Sequence, residues 1–163
     1  MNLKHIFLIP IIALVGCGSD EQASAKSEVG WHHAGGSHFS EKYAPLDQIN
    51  AENFNELEIA WRWQSIDSQL PPELAYPTGH YRAVPLYVDG VMYTNTNHGQ
   101  VVALNPASGE LLWSFDPKSY ESGRPNFSPL MTRGIEYWTD GEIERLFIAT
   151  MGKQLVSIDT VTG

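Results

Sequence analysis

The sequence predicts an all-β chain, the first part of a β-propeller of which about two blades are present. Three observations carry this. Short alternating apolar runs are separated by tight turns, a four-strand unit returns after about fifty residues, and the second unit stops at Gly163 with its fourth strand missing. A period of that length built from four strands marks a propeller blade. A blade hides its faces only by stacking on neighbours, so two blades cannot close a core. Residues 1–163 are therefore read as an N-terminal fragment, expected to be neither stably folded nor active alone.

Taken in order, the chain opens with Lys4 and His5 before an apolar run over 6–15, broken only by Pro10 and ending in Leu14-Val15-Gly16-Cys17. Ten residues are too few to span a bilayer, so 1–16 reads as a signal peptide. The Leu-x-Gly-Cys ending resembles a bacterial lipobox, in which Cys17 is acylated and becomes the first residue; several acyl chains anchor durably where one does not. Cys17 is the only cysteine, which rules out an intrachain disulfide. Residues 17–30 are small, polar and free of aromatics, which predicts a flexible tether. These features imply a lipid-anchored protein on the periplasmic side of a bacterial membrane, the outer membrane among the candidates.

The folded part is expected from Trp31 onward. Residues 57–64 alternate, with Leu57, Ile59, Trp61 and Trp63 on one face, which predicts a half-buried strand. Residues 65–80 hold Pro71, Pro72, Pro77 and Gly79 without periodicity and read as a loop. The first blade-like unit spans 83–115. It has four short strands, and Asp89-Gly90 at its first turn suits a type I′ hairpin. The second spans 134–163. At a constant offset of 54, Thr96, Gln100, Val102 and Gly109 recur as Thr150, Gln154, Val156 and Gly163. Trp113, four residues after a turn glycine, is expected to pack between neighbouring blades with its indole N–H on a backbone carbonyl.

Net charge is −9, and such a surface repels phosphate backbones, which excludes nucleic acid as a partner. His32, His33 and His38 lie close together without paired cysteines or acidic spacing, so they are read as loop histidines and no metal ligand is assigned. Asp47, Asp67, Asp89 and Asp140 are loop or turn acids, and no catalytic residue is assigned among them. No Gly-rich phosphate loop or nucleophile elbow is present.

Three segments together resemble the dehydrogenases that depend on pyrroloquinoline quinone (PQQ) and oxidise alcohols or sugars. They are Trp31 with Ala44-Pro45-Leu46-Asp47-Gln48-Ile49, Asn53 and Ala60-Trp61; Ala103-Leu104-Asn105 through Gly109 to Trp113; and Arg133-Gly134-Ile135-Glu136-Tyr137-Trp138. The resemblance implies an eight-bladed propeller, PQQ as cofactor, and Ca²⁺ whose ligands, with the catalytic Asp, lie beyond residue 163. It also implies an alcohol or sugar substrate and a quinone or cytochrome as electron acceptor. Arg133 matches the family arginine that reaches the quinone, and a guanidinium suits the three PQQ carboxylates. Its bland alternative is a solvated arginine at a turn mouth.

Two departures stand beside these matches. The adjacent cysteines that many members carry before that arginine are replaced by residues 125–131, where Phe127 or Met131 would pack instead. Arg82 stands where the family often has a Glu, so it either pairs with a PQQ carboxylate or marks a lost site. A second function follows from the lipobox and docking repeats alone: a non-catalytic propeller lipoprotein that scaffolds an outer-membrane assembly complex.

Overall fold

A computed structural model describes residues 29–123 and 132–163; Cys17, the expected signal peptide over 1–16 and the stretch around Phe127 and Met131 lie outside the described residues. The order of elements is a 3₁₀ turn (Phe54–Glu56), a second (Ile66–Gln69), β1 (Leu86–Val88), β2 (Val91–Asn95), β3 (Val101–Leu104), β4 (Leu111–Phe115), a third 3₁₀ turn (Ser119–Ser122), β5 (Glu136–Thr139), β6 (Glu144–Ala149) and β7 (Leu155–Asp159). β1–β4 form one antiparallel meander and β5–β7 another. These are two consecutive blades of an all-β partial propeller, the second with three strands among the described residues.

The turns explain why the recurring residues recur. Asp89 (φ 46°) and Gly90 (φ 81°) supply the two positive φ angles of a type I′ turn between Val88 and Val91. Thr96 and Thr150 each close the turn after the second strand of their sheet. Each donates its N–H to the carbonyl of Gln100 or Gln154 (both 2.8 Å), and its hydroxyl accepts the N–H of that same glutamine, at 3.1 and 3.3 Å. Asn105 and Asp159 head the last turns, their side-chain oxygens accepting two N–H groups each. Gly109 (φ 72°) and Gly163 (φ 81°) end those turns in the left-handed region.

One apolar cluster joins the two sheets. Leu86, Val88, Tyr93, Val101 and Ala103 from the first meet Ile135, Tyr137, Leu146, Ile148 and Ile158 around the second, with Trp31, Trp113 and Phe115 packed against them. Burying an aliphatic side chain such as Leu86 or Leu146 contributes about 1.5–3 kcal/mol. Trp113 docks on the second sheet's last turn. Its indole N–H donates to Thr160 O at 3.0 Å, and a Cβ on Gly163 would sit 2.9 Å from its ring. Tyr93 donates its hydroxyl to the same carbonyl at 3.2 Å, and burial is the main cause that pushes its phenol up to about 12.

One expected strand is absent. Residues 57–64 join no sheet: no ladder partner lies beside them among the described residues, and the backbone from 58 to 64 makes no backbone hydrogen bond there. Alternation records which side faces a core; a strand also needs a neighbour for its N–H and C=O groups. Trp61 and Trp63 are half-buried as the pattern requires, whereas Leu57 and Ile59 are 54% and 66% exposed. Trp61 repeats the docking of Trp113. It donates to Pro106 O at 2.9 Å, and a Cβ on Gly109 would lie 2.6 Å from its ring.

Asp159 ties its turn to β6. Backbone N–H groups of Thr162 and Val161, then the Arg145 guanidinium, hold its carboxyl at about 2 against an ordinary 3.8. Folding lowers this pKa, so the stabilisation is complete above pH 3.8 and is lost as pH falls through 2. Acid unfolding of Asp159→Asn, followed by circular dichroism, is expected to lose that dependence between pH 4 and 2.

Candidate functional site

Two cavities flank the pair of sheets. The larger, about 780 Å³, lies between the first sheet and residues 61–81, with Trp61, Trp63, Tyr81, Met92, Thr94 and His98 among its walls. The smaller, about 570 Å³, lies on the far side of the second sheet and includes Thr132, Arg133, Glu136, Phe147, Thr150 and Met151.

Arg133 therefore lines a cavity, three residues before the first strand of its sheet. Its neighbour Thr132 is fixed by donating its hydroxyl to Thr96 O, which ties the start of the second blade to the Thr96 turn of the first. Arg133 is exposed and makes no ion pair among the described residues. Arg82 is also exposed and unpaired among them, four residues before the first strand of its own sheet. The two arginines thus take similar places in consecutive blades, where the first strand borders the central channel of a propeller. They do not share a cavity: Tyr81 and Pro85 on either side of Arg82 line the larger one, and Arg82 lines neither.

The PQQ chemistry can be tested on these residues. An unpaired guanidinium at a cavity whose wall is otherwise largely Ile135, Phe147, Ile148, Met151 and Leu155 suits a planar aromatic tricycle carrying carboxylates. Arg133 with Thr132 and Thr150 fits one end of that group, whereas Arg82 does not line the cavity.

The opening histidines are loop residues, yet they are not all solvated. His33 contacts Glu136 through Nδ1, its ring lies 3.9 Å from that of His38, and His32 sits 5.3 Å from Tyr137. This brings the opening segment onto the second blade near Arg133.

The sequence reading missed a buried polar cluster. Asp67, classed as a loop acid, accepts from Gln100 Nε2 at 2.9 Å and from the His98 N–H at 3.3 Å, pinning the 65–82 excursion to the first sheet. His98 Nδ1 lies 3.0 Å from Asp67 Oδ2, but the geometry is too bent for a hydrogen bond, and both ring nitrogens stay unsatisfied, as does the side chain of Asn95. No local signal marks the cluster, because its partners are 31 and 33 residues apart.

Two antiparallel sheets joined by a docking tryptophan make a partial propeller, and the match to known proteins is specific: residues 31–163 fit the family described as "PQQ: Glucose/ethanol/alcohol dehydrogenase, beta-propeller domain", and the chain belongs to that family. It is 34% identical over 134 residues to the dehydrogenase subunit of the quinone alcohol dehydrogenase of Gluconobacter oxydans, covering 82% of this chain and 16% of that one. A quinohemoprotein alcohol dehydrogenase of Pseudomonas putida is 30% identical, over 99% of this chain and 22% of its own length. Among solved structures, a second quinohemoprotein alcohol dehydrogenase of Pseudomonas putida superimposes with a TM-score of 0.67 at 28% identity, over 83% of this chain and 18% of that chain. The Comamonas testosteroni quinohemoprotein alcohol dehydrogenase gives 0.64 at 26%, over 86% and 19%. The chain thus spans about a fifth of the length of the relatives it matches.

Proposed function

We propose that the chain forms the N-terminal part of a PQQ-dependent dehydrogenase that oxidises an alcohol or sugar and passes the electrons to a quinone or cytochrome. The observation that carries this is the family match across residues 31–163, joined to relatives named as alcohol dehydrogenases. The scaffold alternative is not favoured, since the relatives reported above are named as alcohol dehydrogenases.

In this reading Arg133 binds a PQQ carboxylate through two parallel hydrogen bonds, and its charge never leaves. Thr132, held on Thr96 O, sets the backbone from which Arg133 reaches. Phe147, Ile148 and Met151 give the ring an apolar wall that keeps water away from it. Arg82, which lines neither cavity, is given no contact with the cofactor. Bound PQQ supplies two-electron oxidising capacity toward a CH–OH group. Calcium and its ligands, with the catalytic Asp, belong to polypeptide beyond residue 163. Cys17, acylated, holds the protein on the periplasmic side of a membrane.

Titration of PQQ against the longer polypeptide that carries these residues, followed by tryptophan fluorescence, tests the binding role. Arg133→Ala is expected to weaken binding by about 10- to 100-fold, the loss of one charge-assisted hydrogen-bonded contact. Equal affinity for both proteins removes Arg133 from the site. Dye reduction across an alcohol and sugar panel, by the polypeptide that carries these residues together with PQQ and Ca²⁺, tests the reaction.

A further inference from the structure

We propose that Asp67 is a positioning residue for Arg133, acting through the turn between β2 and β3 and through Thr132. The purpose of this device rests on the cofactor reading above; its hydrogen bonds do not.

Three segments remote in sequence hold the turn over 96–100. Asp67, in the 3₁₀ turn of the 65–82 excursion, accepts the Gln100 side-chain amide at 2.9 Å with one carboxylate oxygen and the His98 N–H at 3.3 Å with the other. Ser119 donates its hydroxyl to His98 O at 3.1 Å. Thr96 O already accepts the Gly99 N–H at 3.1 Å, and it takes the Thr132 hydroxyl as its second donor. That last bond is the one hydrogen bond that ties residues 132–134 to the first sheet among the described residues. A continuous chain of contacts therefore runs from the Asp67 carboxylate to the backbone that carries the Arg133 guanidinium.

The second blade shows that the turn itself does not need this carboxylate. Thr150 and Gln154 close it with the same pair of hydrogen bonds, at 2.8 and 3.3 Å, yet Gln154 is exposed and Gly152 stands where the first blade has His98. Asp67 and His98 are an addition to a turn that is already complete. The addition opposes folding, because His98 is 3% exposed and both its ring nitrogens lack a partner. A local breach of polar satisfaction is expected where a site is served, not in a turn built for stability alone.

What the pin supplies is a fixed origin for Arg133. The arginine makes no ion pair among the described residues, Gly134 beside it has open space around it, and the strand begins only at Glu136. Holding Thr132 in advance orders this segment before an anion arrives, so binding does not carry that cost.

The test uses the longer polypeptide that carries these residues. Amide hydrogen exchange, read by mass spectrometry without PQQ, compares the unaltered protein with Asp67→Ala, Asp67→Asn and Asp47→Ala, the last a change at an exposed loop acid. In Asp67→Ala, exchange is expected to be about 10-fold faster at 96–100 and 132–135 and unchanged at 150–159. Asp67→Asn, which keeps one acceptor oxygen, should show a smaller rise, and Asp47→Ala none. Thr132→Val cuts the last link, so it should give the same rise at 132–135 and leave nothing there for Asp67→Ala to add. PQQ titration of the same variants should show binding about 3- to 10-fold weaker in Asp67→Asn, and no further loss from that change once Arg133 is replaced by alanine. Unchanged exchange at 132–135, or a loss of affinity that persists in the Arg133→Ala background, overturns the proposal. An unaltered protein that binds no PQQ removes the cofactor reading instead, and the exchange at 132–135 still decides whether Asp67 holds the segment. If Asp67→Ala speeds exchange across 150–159 as well, it has opened the second sheet, and Asp67→Asn decides.

Discussion

Replacing Trp113 with alanine is expected to destabilise the joined pair of sheets by about 3 kcal/mol, the lower end for truncating a large aromatic, since the ring is only partly buried. Three effects coincide. The ring leaves the apolar cluster, its edge contact with Tyr93 at 5.9 Å is lost, and Thr160 O loses one of its two donors. Urea unfolding should show the midpoint about 1–3 M lower. Trp138 is the control. It is 47% exposed and belongs to no part of the shared cluster, so Trp138→Ala should shift stability by no more than about 0.5 kcal/mol.

Gly109→Ala is expected to cost about 2–5 kcal/mol through two separate causes. The left-handed backbone at φ 72° strains any L side chain by about 1–2 kcal/mol. The new methyl would also lie 2.6 Å from the Trp61 ring and force it off its carbonyl partner, and overpacking of this kind adds about 1–3 kcal/mol. Gly90→Ala separates the two. Gly90 has φ 81° but nothing within 4 Å of a new Cβ, so only the backbone cost applies. If Gly109→Ala and Gly90→Ala unfold at the same urea concentration, Trp61 does not dock as described.

These variants also mark what the sequence made legible. The two meanders, the Asp89-Gly90 hairpin and the docking of Trp113 follow from local rules: alternation, turn residues that tolerate positive φ, and an aromatic placed after a turn glycine. Thr96 and Thr150 recur because the same turn needs the same hydroxyl. The strand expected at 57–64 failed because strand formation depends on a partner that a periodicity does not contain. The Asp67–Gln100 and His33–Glu136 contacts were invisible for a related reason. They join residues 33 and 103 apart, and nothing near either partner records the other. Arg133 came from motif resemblance alone, because no local periodicity or turn rule marks the cavity it lines.

The docking tryptophans also set a timetable for synthesis. Trp61 waits for a carbonyl 45 residues downstream and Trp113 for one 47 downstream. At about 5–20 residues per second on the ribosome, each indole spends roughly 2–9 s without its acceptor before the next blade emerges. The blades are thus latched one after another in the order of translation, each tryptophan held open for about the same interval and closed by the turn that follows it.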